Sequence, residues 1–294
     1  MMERTGHLFL TGATGHTGSR AARRLLEDGW RLRCLSHNPE HTAHLPRDPN
    51  LEIVQGDIRE PAAWAEALGG AAALVNMAHV GFAQYVVEAC ASAGVRRAIS
   101  FSSTRRFTRF PEETARLVIA GEAALDASDL DYTILRPAMI FGGERDNNLE
   151  KLVRWLRRRR WMPLLAGGRN LVQPIYTWDL VDALARALER PEATRRRALT
   201  LAGPRPMTQR AMIETLARLM GRPLVWMPVP YAAAWAGAGV VEIFMRRRPF
   251  VTRDQVRRML EDKAFDIGEA QEALGGWQPR EFEAAIKEKL AGRA

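Results

Sequence analysis

Three glycines in the stretch Thr11-Gly12-Ala13-Thr14-Gly15-His16-Thr17-Gly18 constrain this chain more than any other feature. The apolar run His7–Thr11 precedes them. Ser19–Asp28 follows, with Ala22, Leu25 and Leu26 at helical spacing. A short buried strand that turns at once into a helix is the opening of a βαβ unit. In that context Gly12 permits the tight turn, and Gly15 lets backbone approach a pyrophosphate with no Cβ between them. Gly18 lets the helix lie close on the strand. The stretch Gly12, Thr14, Gly15, His16, Thr17 and Gly18 then presents free amides at a helix N-terminus, where the dipole favours phosphate charge.

The pattern continues down the chain. Strands are expected at Arg31–Leu35, Leu51–Val54, Ala72–Met77, Arg97–Phe101 and Tyr132–Arg136. Helices are expected at Ala62–Leu68, Phe82–Ser92, Glu112–Ala127 and Leu149–Arg159. Strands alternating with helices predict an α/β protein with a doubly wound parallel sheet of the Rossmann type. Beyond about Pro163 the pattern is mixed. Short strands at Val172–Tyr176 and Ala198–Leu201 alternate with helices at Leu180–Glu189, Gln209–Met220, Tyr231–Phe244 and Arg253–Asp262. This predicts a dinucleotide-binding unit in residues 1–162. A smaller mixed lobe, 163–294, packs on it for substrate or partner, and its strands are free to return to the main sheet.

The end of the second strand selects the dinucleotide. A binder of the free ribose 2′-hydroxyl usually places a carboxylate there. Here the chain reads Ser36-His37-Asn38 with no carboxylate. These side chains can donate to a 2′-phosphate, and Arg33 or Arg20 can supply charge, so NADP(H) is preferred over NAD(H). Asp57, after the third strand, either accepts from the adenine amino group or caps the turn that follows it.

The formal net charge is +9, carried almost wholly by arginine, with Lys151, Lys263, Lys287 and Lys289 the only lysines. Arginine runs stand at 157–160, 195–197 and 246–248. The last ends the apolar segment Tyr231–Met245, which carries Trp235 and Phe244. That combination fits a membrane-surface contact through Tyr231–Arg248, a lid over an apolar small molecule, or core packing. No nucleic-acid module is present, so nucleic acid is not an expected partner. Cys34 and Cys90 fall in unlike elements, so a reducing compartment fits better than a disulfide. The apolar run Val225–Met245 holds Pro228, Pro230 and Glu242, and its central part falls short of the ~20 apolar residues a membrane span needs. A cytoplasmic protein is expected, peripheral at the inner membrane if the apolar segment docks there. No metal site is expected.

Five segments in order, TGATGHTG, QGDIRE, ISFSST, LDYTILRPAMIFGG and LVQPIYTWDLVDAL, resemble the short-chain dehydrogenase/reductase superfamily in its atypical or extended, epimerase/dehydratase-like branch. Among that branch the chain looks most like relatives of the NAD(P)H-binding accessory subunit of respiratory complex I. The resemblance implies that Asp57 and Ile58 approach the adenine. Ala78 and His79 lie beside the ribose. Ser102 and Ser103 flank the nicotinamide, and Pro137 to Ile140 cover its other side.

The same resemblance exposes a departure. Active members carry Tyr and, four residues later, Lys on the helix after the fifth strand. The lysine holds the ribose and lowers the tyrosine pKa. No such pair occurs here: Tyr85, Tyr132, Tyr176 and Tyr231 are followed four later by Ala89, Arg136, Leu180 and Trp235. Alignment puts Thr114 and Val118 at the two positions. The serine/threonine partner survives as Ser103 or Thr104, and His79, Glu113 and Arg116 are nearby substitutes. The expected function is therefore a dinucleotide-bound sensor, scaffold or assembly-type protein. The alternative is an NADPH-dependent oxidoreductase or epimerase with a displaced acid/base group, acting on a quinone-like or isoprenoid-like compound or, less readily, a nucleotide sugar.

Overall fold

The computed structural model describes residues 6–143, 149–244 and 252–291. The first half alternates strand and helix: β1 (His7–Thr11), α1 (His16–Glu27), β2 (Leu32–Ser36), β3 (Leu51–Gln55), α2 (Ala65–Leu68), β4 (Ala71–Asn76), α3 (Ala83–Ala93), β5 (Arg97–Phe101), α4 (Glu113–Asp126) and β6 (Asp131–Pro137). There follow β7 (Ile140–Phe141), α5 (Leu149–Arg158), β8 (Trp161–Leu165), β9 (Leu171–Val172), β10 (Ile175–Tyr176), α6 (Thr177–Glu189), α7 (Pro191–Thr194) and β11 (Arg197–Leu201). The remainder is β12 (Met207–Thr208), α8 (Gln209–Leu219), β13 (Val225–Val229), α9 (Tyr231–Phe244), α10 (Arg253–Met259), α11 (Gly268–Ala273) and α12 (Phe282–Leu290).

Seven parallel strands form the central sheet in the order β11-β6-β5-β4-β1-β2-β3. The order reverses between β1 and β4, which makes the crevice beyond their carboxyl ends the topological switch point where such sheets take ligands. Apolar side chains fill both faces. Leu8, Leu10, Cys34, Val75 and Leu184 belong to one cluster. Phe9, Trp64, Leu74, Cys90 and Val118 belong to the other. The two free thiols thus sit on opposite sides of the sheet, and burial pushes each up to about 12. A third cluster, with Phe141, Leu156, Leu164, Leu216 and Phe282, holds α5, β8, α8 and α12 together.

Several boundaries differ from the sequence expectation for clear reasons. The helix expected from Ser19 begins at His16, directly after Gly15. Ala62–Leu68 is broken at Trp64 into a 3-10 turn and the four-residue α2. The single strand expected over Val172–Tyr176 is two strands with different partners, β9 antiparallel to β12 and β10 parallel to β7. Pro174 separates them, since it offers no N–H to a ladder. Ala198–Leu201 does form a strand, and as β11 it extends the main sheet beside β6. The arginines that precede it are structural. Arg195 pairs with Asp131, and Arg196 donates to the Asp126, Ser128 and Leu130 carbonyls that end α4.

Candidate dinucleotide-binding site

At the switch point the backbones of β1 and β4 come together, with the Met77 amide donating to Thr11 O at 2.9 Å. Gly12 has φ +72°, and a Cβ there would overlap the Met77 carbonyl and the Ala78 amide. A Cβ on Gly18 would overlap the Gly12 carbonyl and Ala13 backbone. Both positions require glycine for close backbone approach. Gly15 is different. Its φ of −74° suits any residue, it is exposed, and its bare Cα opens the mouth of the turn. No side chain caps α1, and the first-turn amides of a helix have no acceptor within it, which suits this end to a phosphate.

Asn76, which the sequence alone did not single out, organises this turn from below. Its Oδ1 accepts from Thr11 Oγ1 at 2.7 Å and from the Ala78 amide at 3.2 Å. Its Nδ2 is buried and has no hydrogen-bond partner. A bare loop, an uncapped helix and an orphan buried donor fit a pyridine dinucleotide. A polar residue closing the apolar run Ala71–Asn76 was the available signal.

Around the adenosine end the candidates have specific local partners. Ser36 Oγ donates to Asn38 O at 2.9 Å, and Asn38 Oδ1 accepts from the Glu40 amide at 2.9 Å. His37 is exposed and lies edge-on to His41, 6.1 Å between ring centroids. Arg33 is engaged by Glu52 and Ala67 O, towards the start of β2. Thr14 O contacts His44 Nε2 at 2.7 Å. The His16 ring meets Arg20 Nη1 at 2.9 Å and packs against Gly143, near Thr177 Oγ1. It points to the second lobe, while the first turn of α1 keeps its backbone at the loop. Asp57 caps its turn by accepting from the Arg59 amide at 2.9 Å. The hydrogen bonds from the Arg59 guanidinium hold its carboxyl down at about 2. Ile58 packs on the core beneath β1 and β4.

Beyond β4 and β5, His79 Nδ1 accepts from the Gly81 amide at 3.0 Å. Burial, and then the Arg105 charge, keep this imidazole below its usual pKa, so the neutral ring carries its proton on Nε2. Ser103 Oγ accepts from the Arg105 amide at 3.2 Å, and Thr104 Oγ1 donates to Pro137 O at 3.3 Å. Pro137 is buried and Ala138 to Ile140 are half-buried along the path from β6 to β7.

The helix after β5 supplies a residue that the sequence alone did not reveal. Thr114, Val118 and Glu122 are successive members of one α4 face, four residues apart. Val118 is fully in the core, Thr114 half-buried, and Glu113 and Arg116 exposed. Glu122 is 3% exposed and accepts from Ser102 Oγ at 2.5 Å. Arg136 binds the same carboxylate bidentately, Nε at 2.9 Å and Nη2 at 2.8 Å, and Arg106 pairs with it as well. Close approach is possible because Gly121 sits under the Val80 carbonyl, where a Cβ would clash. Glu122 lies one turn beyond Val118, past the two positions that the resemblance brings into view.

The second lobe closes over these groups. Glu261, buried, accepts from Thr108 Oγ1 at 2.6 Å and from the Arg109 amide at 2.7 Å. Glu112 bridges Arg105 and Arg258. Phe265 lies 5.9 Å from Phe107, whose ring also stacks under Arg106 and Arg136. Gln173 joins the Phe265 amide to Gly203 O. A cavity of about 390 Å³ lies apart from the switch point, between Arg24, Trp178, Asp179, Asp182 and Arg280. There Asp179 accepts from the Arg280 amide and guanidinium, while burial pushes its carboxyl up to about 6.

Known proteins agree with this architecture. A family model described as NAD(P)H-binding matches residues 12–153. The chain is 28% identical over 178 residues to the NADH dehydrogenase [ubiquinone] 1 alpha subcomplex subunit 9 of Arabidopsis thaliana, covering 60% of this chain and 41% of that one. It is 33% identical over 152 residues to the ceramide reductase of Caulobacter vibrioides, covering 47% of each. The chain thus spans about half the length of the curated relatives it matches. The crystal structure of gox2253 superposes with a TM-score of 0.78 at 20% identity, covering 97% of both chains, which establishes the shared fold. Residues 12–153 thus match an NAD(P)H-binding family, the part of the chain that carries its similarity to the short-chain dehydrogenase/reductase superfamily.

Proposed function

We propose that this chain is an atypical member that holds NADP(H) and works through the bound state, as a sensor, scaffold or assembly-type protein, without conventional dehydrogenase turnover. One observation carries this proposal. On the α4 face that normally bears the Tyr–Lys pair, Val118 is sealed in the core, and the next charge, Glu122, is locked by Ser102, Arg106 and Arg136. An arginine-paired carboxylate is a poor proton donor, and a valine can neither hold a ribose nor tune a neighbour. Similarity to a complex I subunit supports an assembly-type role.

On this proposal Gly12, Thr14, Gly15, Thr17, Gly18 and the backbone of His16 hold the pyrophosphate. Asn76 Nδ2 and the Ala78–His79 turn lie beside the ribose. The absence of a carboxylate after β2, together with the exposed His37 and the amide nitrogen of Asn38, favours a 2′-phosphate. Bound dinucleotide would supply a hydride. Of the side chains beside the expected ribose and nicotinamide, His79 is a neutral ring with its proton on Nε2, and Ser103 and Thr104 are hydroxyl partners. That observation favours a second reading, reduction of an apolar carbonyl or quinone-like compound, and the similarity to a ceramide reductase points the same way. Residues 1–162 would serve the cofactor and 163–294 the substrate or partner. A cytoplasmic protein, peripheral at a membrane through Tyr231–Arg248, belongs to the same proposal. Within that segment α9 is largely exposed up to Phe244, and residues 245–248 lie outside the described residues. Among the described residues no helix is long and apolar enough to cross a membrane.

Calorimetry with NADPH and NADH, followed by NADPH oxidation against a panel of carbonyls and quinones, separates the two functions. Tight NADPH binding with no turnover supports the first. Turnover lost in His79→Ala with binding intact replaces it by the second. No heat with any pyridine nucleotide defeats both.

A further inference from the structure

The small sheet formed by β8 and β13 has the wrong pattern for a surface. Its register pairs Trp161 with Val225, Pro163 with Met227 and Leu165 with Val229, all on one side of the pleat. Met162, Leu164 and Trp226 point the other way, into the cluster around α8 and α12. A two-stranded sheet with one buried face should carry polar residues outward. Here neither strand carries a charge, and the outward ladder is apolar along its whole length. Val225 is 64% exposed, Met227 45% and Trp161 37%. Beyond Pro230 the chain enters α9, where Tyr231, Val240 and Phe244 are also exposed. An exposed apolar ladder such as that of β8–β13 marks an interaction site.

One end of this ladder is strongly basic. Arg157, Arg158, Arg159 and Arg160 lead directly into β8, all four are exposed, and none makes an ion pair among the described residues. The Arg160 carbonyl accepts from the Val225 amide, which fixes the end of this run against the apolar ladder. Many other arginines among the described residues face carboxylates, including Arg195, Arg205, Arg210 and Arg218.

We propose that the outward face of β8–β13, flanked at one end by Arg157–Arg160, docks on the surface of an anionic lipid bilayer. The apolar ladder enters the headgroup boundary and the arginines take the lipid phosphates. The occupant is a membrane and not a protein groove because the outward ladder carries no charge and is continuous in the chain with four exposed arginines, unpaired among the described residues. The inference extends the membrane reading of Tyr231–Arg248 to a second, sheet-built surface, and it is independent of the dinucleotide.

The test is vesicle flotation of the full chain loaded with NADPH, using phosphatidylcholine alone or mixed with phosphatidylglycerol. The chain is expected to float with the mixed vesicles only, and to be released as salt rises. Val225→Glu with Met227→Glu should abolish flotation. Arg157→Gln with Arg158→Gln should weaken it by about 30-fold, at ~5-fold per arginine. NADPH calorimetry on the same variants should be unchanged, so loss of docking and loss of the cofactor reading are separable. Equal flotation with pure phosphatidylcholine, or variants that float like the parent, would overturn the proposal. So would a concentration-dependent dimer that Val225→Glu with Met227→Glu dissolves, which would assign the face to a second copy of the chain.

Discussion

Ser102 donates to Glu122 across 2.5 Å, tying the residue after β5 to the middle of α4. With Arg106 and Arg136 on the same carboxylate, a closed ionic cluster stands one turn beyond the pair Thr114 and Val118, the positions that align with the superfamily's Tyr and Lys. The cluster fixes the distance between α4 and the strand ends, which is a structural job.

Removing that carboxylate should be costly. Glu122→Ala leaves two arginines without their counter-charge, of which Arg136 is 15% exposed and Arg106 31%. Loss of one member of a buried pair costs ~3–5 kcal/mol, and partial exposure of Arg106 puts the expectation at the lower end, about 3 kcal/mol. Glu122→Gln keeps an acceptor for Ser102 and should cost less. Urea midpoints of the two variants check this, and equal midpoints for Glu122→Ala and the parent would remove the structural role.

The glycines of the first turn should separate into two kinds. Gly18→Ala forces a Cβ into the Gly12 carbonyl, and overpacking of that sort costs ~1–3 kcal/mol. Gly15→Ala has only the Gly12 carbonyl within reach, at 3.2 Å, and an ordinary φ. It should melt like the parent yet bind NADPH at least about tenfold more weakly, since its methyl group stands in the phosphate mouth. Thermal melts and calorimetry read the two effects separately. A Gly15→Ala variant of unchanged affinity would place the pyrophosphate elsewhere.

The opening turn was legible because glycine spacing, strand and helix all point to one geometry. The main sheet was legible for the same reason, down to the strand at 197–201. Three things were not. Asn76 and Glu122 act through partners distant in sequence, Thr11 and Arg136 among them, and although a polar residue closing the run Ala71–Asn76 was visible, the sequence does not say what it pairs with. The split at Pro174 was written in the sequence but outweighed by the β-branched and aromatic residues around it. The β8–β13 pair was hidden because both of its faces are apolar, so period-two alternation, the usual strand signal, is absent.

The loop after β5 should depend on one carboxylate of the second lobe. Glu261 accepts from Thr108 Oγ1 and from the Arg109 amide, and is itself 7% exposed. Glu261→Ala removes both acceptors and leaves that amide without a partner. Its direct cost should be ~1–3 kcal/mol, concentrated locally: amide exchange at residues 108–110 should accelerate while β4 and β5 stay protected. Uniform acceleration across the sheet would instead make Glu261 part of the global core.

Asp179 should make stability fall as pH rises. Its carboxyl is pushed up to about 6 by burial, from an ordinary value of about 4, despite accepting from Arg280. The folded state therefore holds a proton that the unfolded chain has already released. The stabilisation from that proton is complete below about pH 4, shrinks as pH rises towards 6, and is gone above it. A carboxyl that titrates near 6 in the folded chain and near 4 in the unfolded one changes stability by about 3 kcal/mol across that interval. Asp179→Asn cannot ionise, so the stability of the parent minus that of the variant should fall by up to this amount between pH 4 and 7. Denaturant titrations of both proteins across that range check the sign directly. A difference that rises with pH would mean that Arg280 outweighs burial and holds Asp179 ionised in the folded chain.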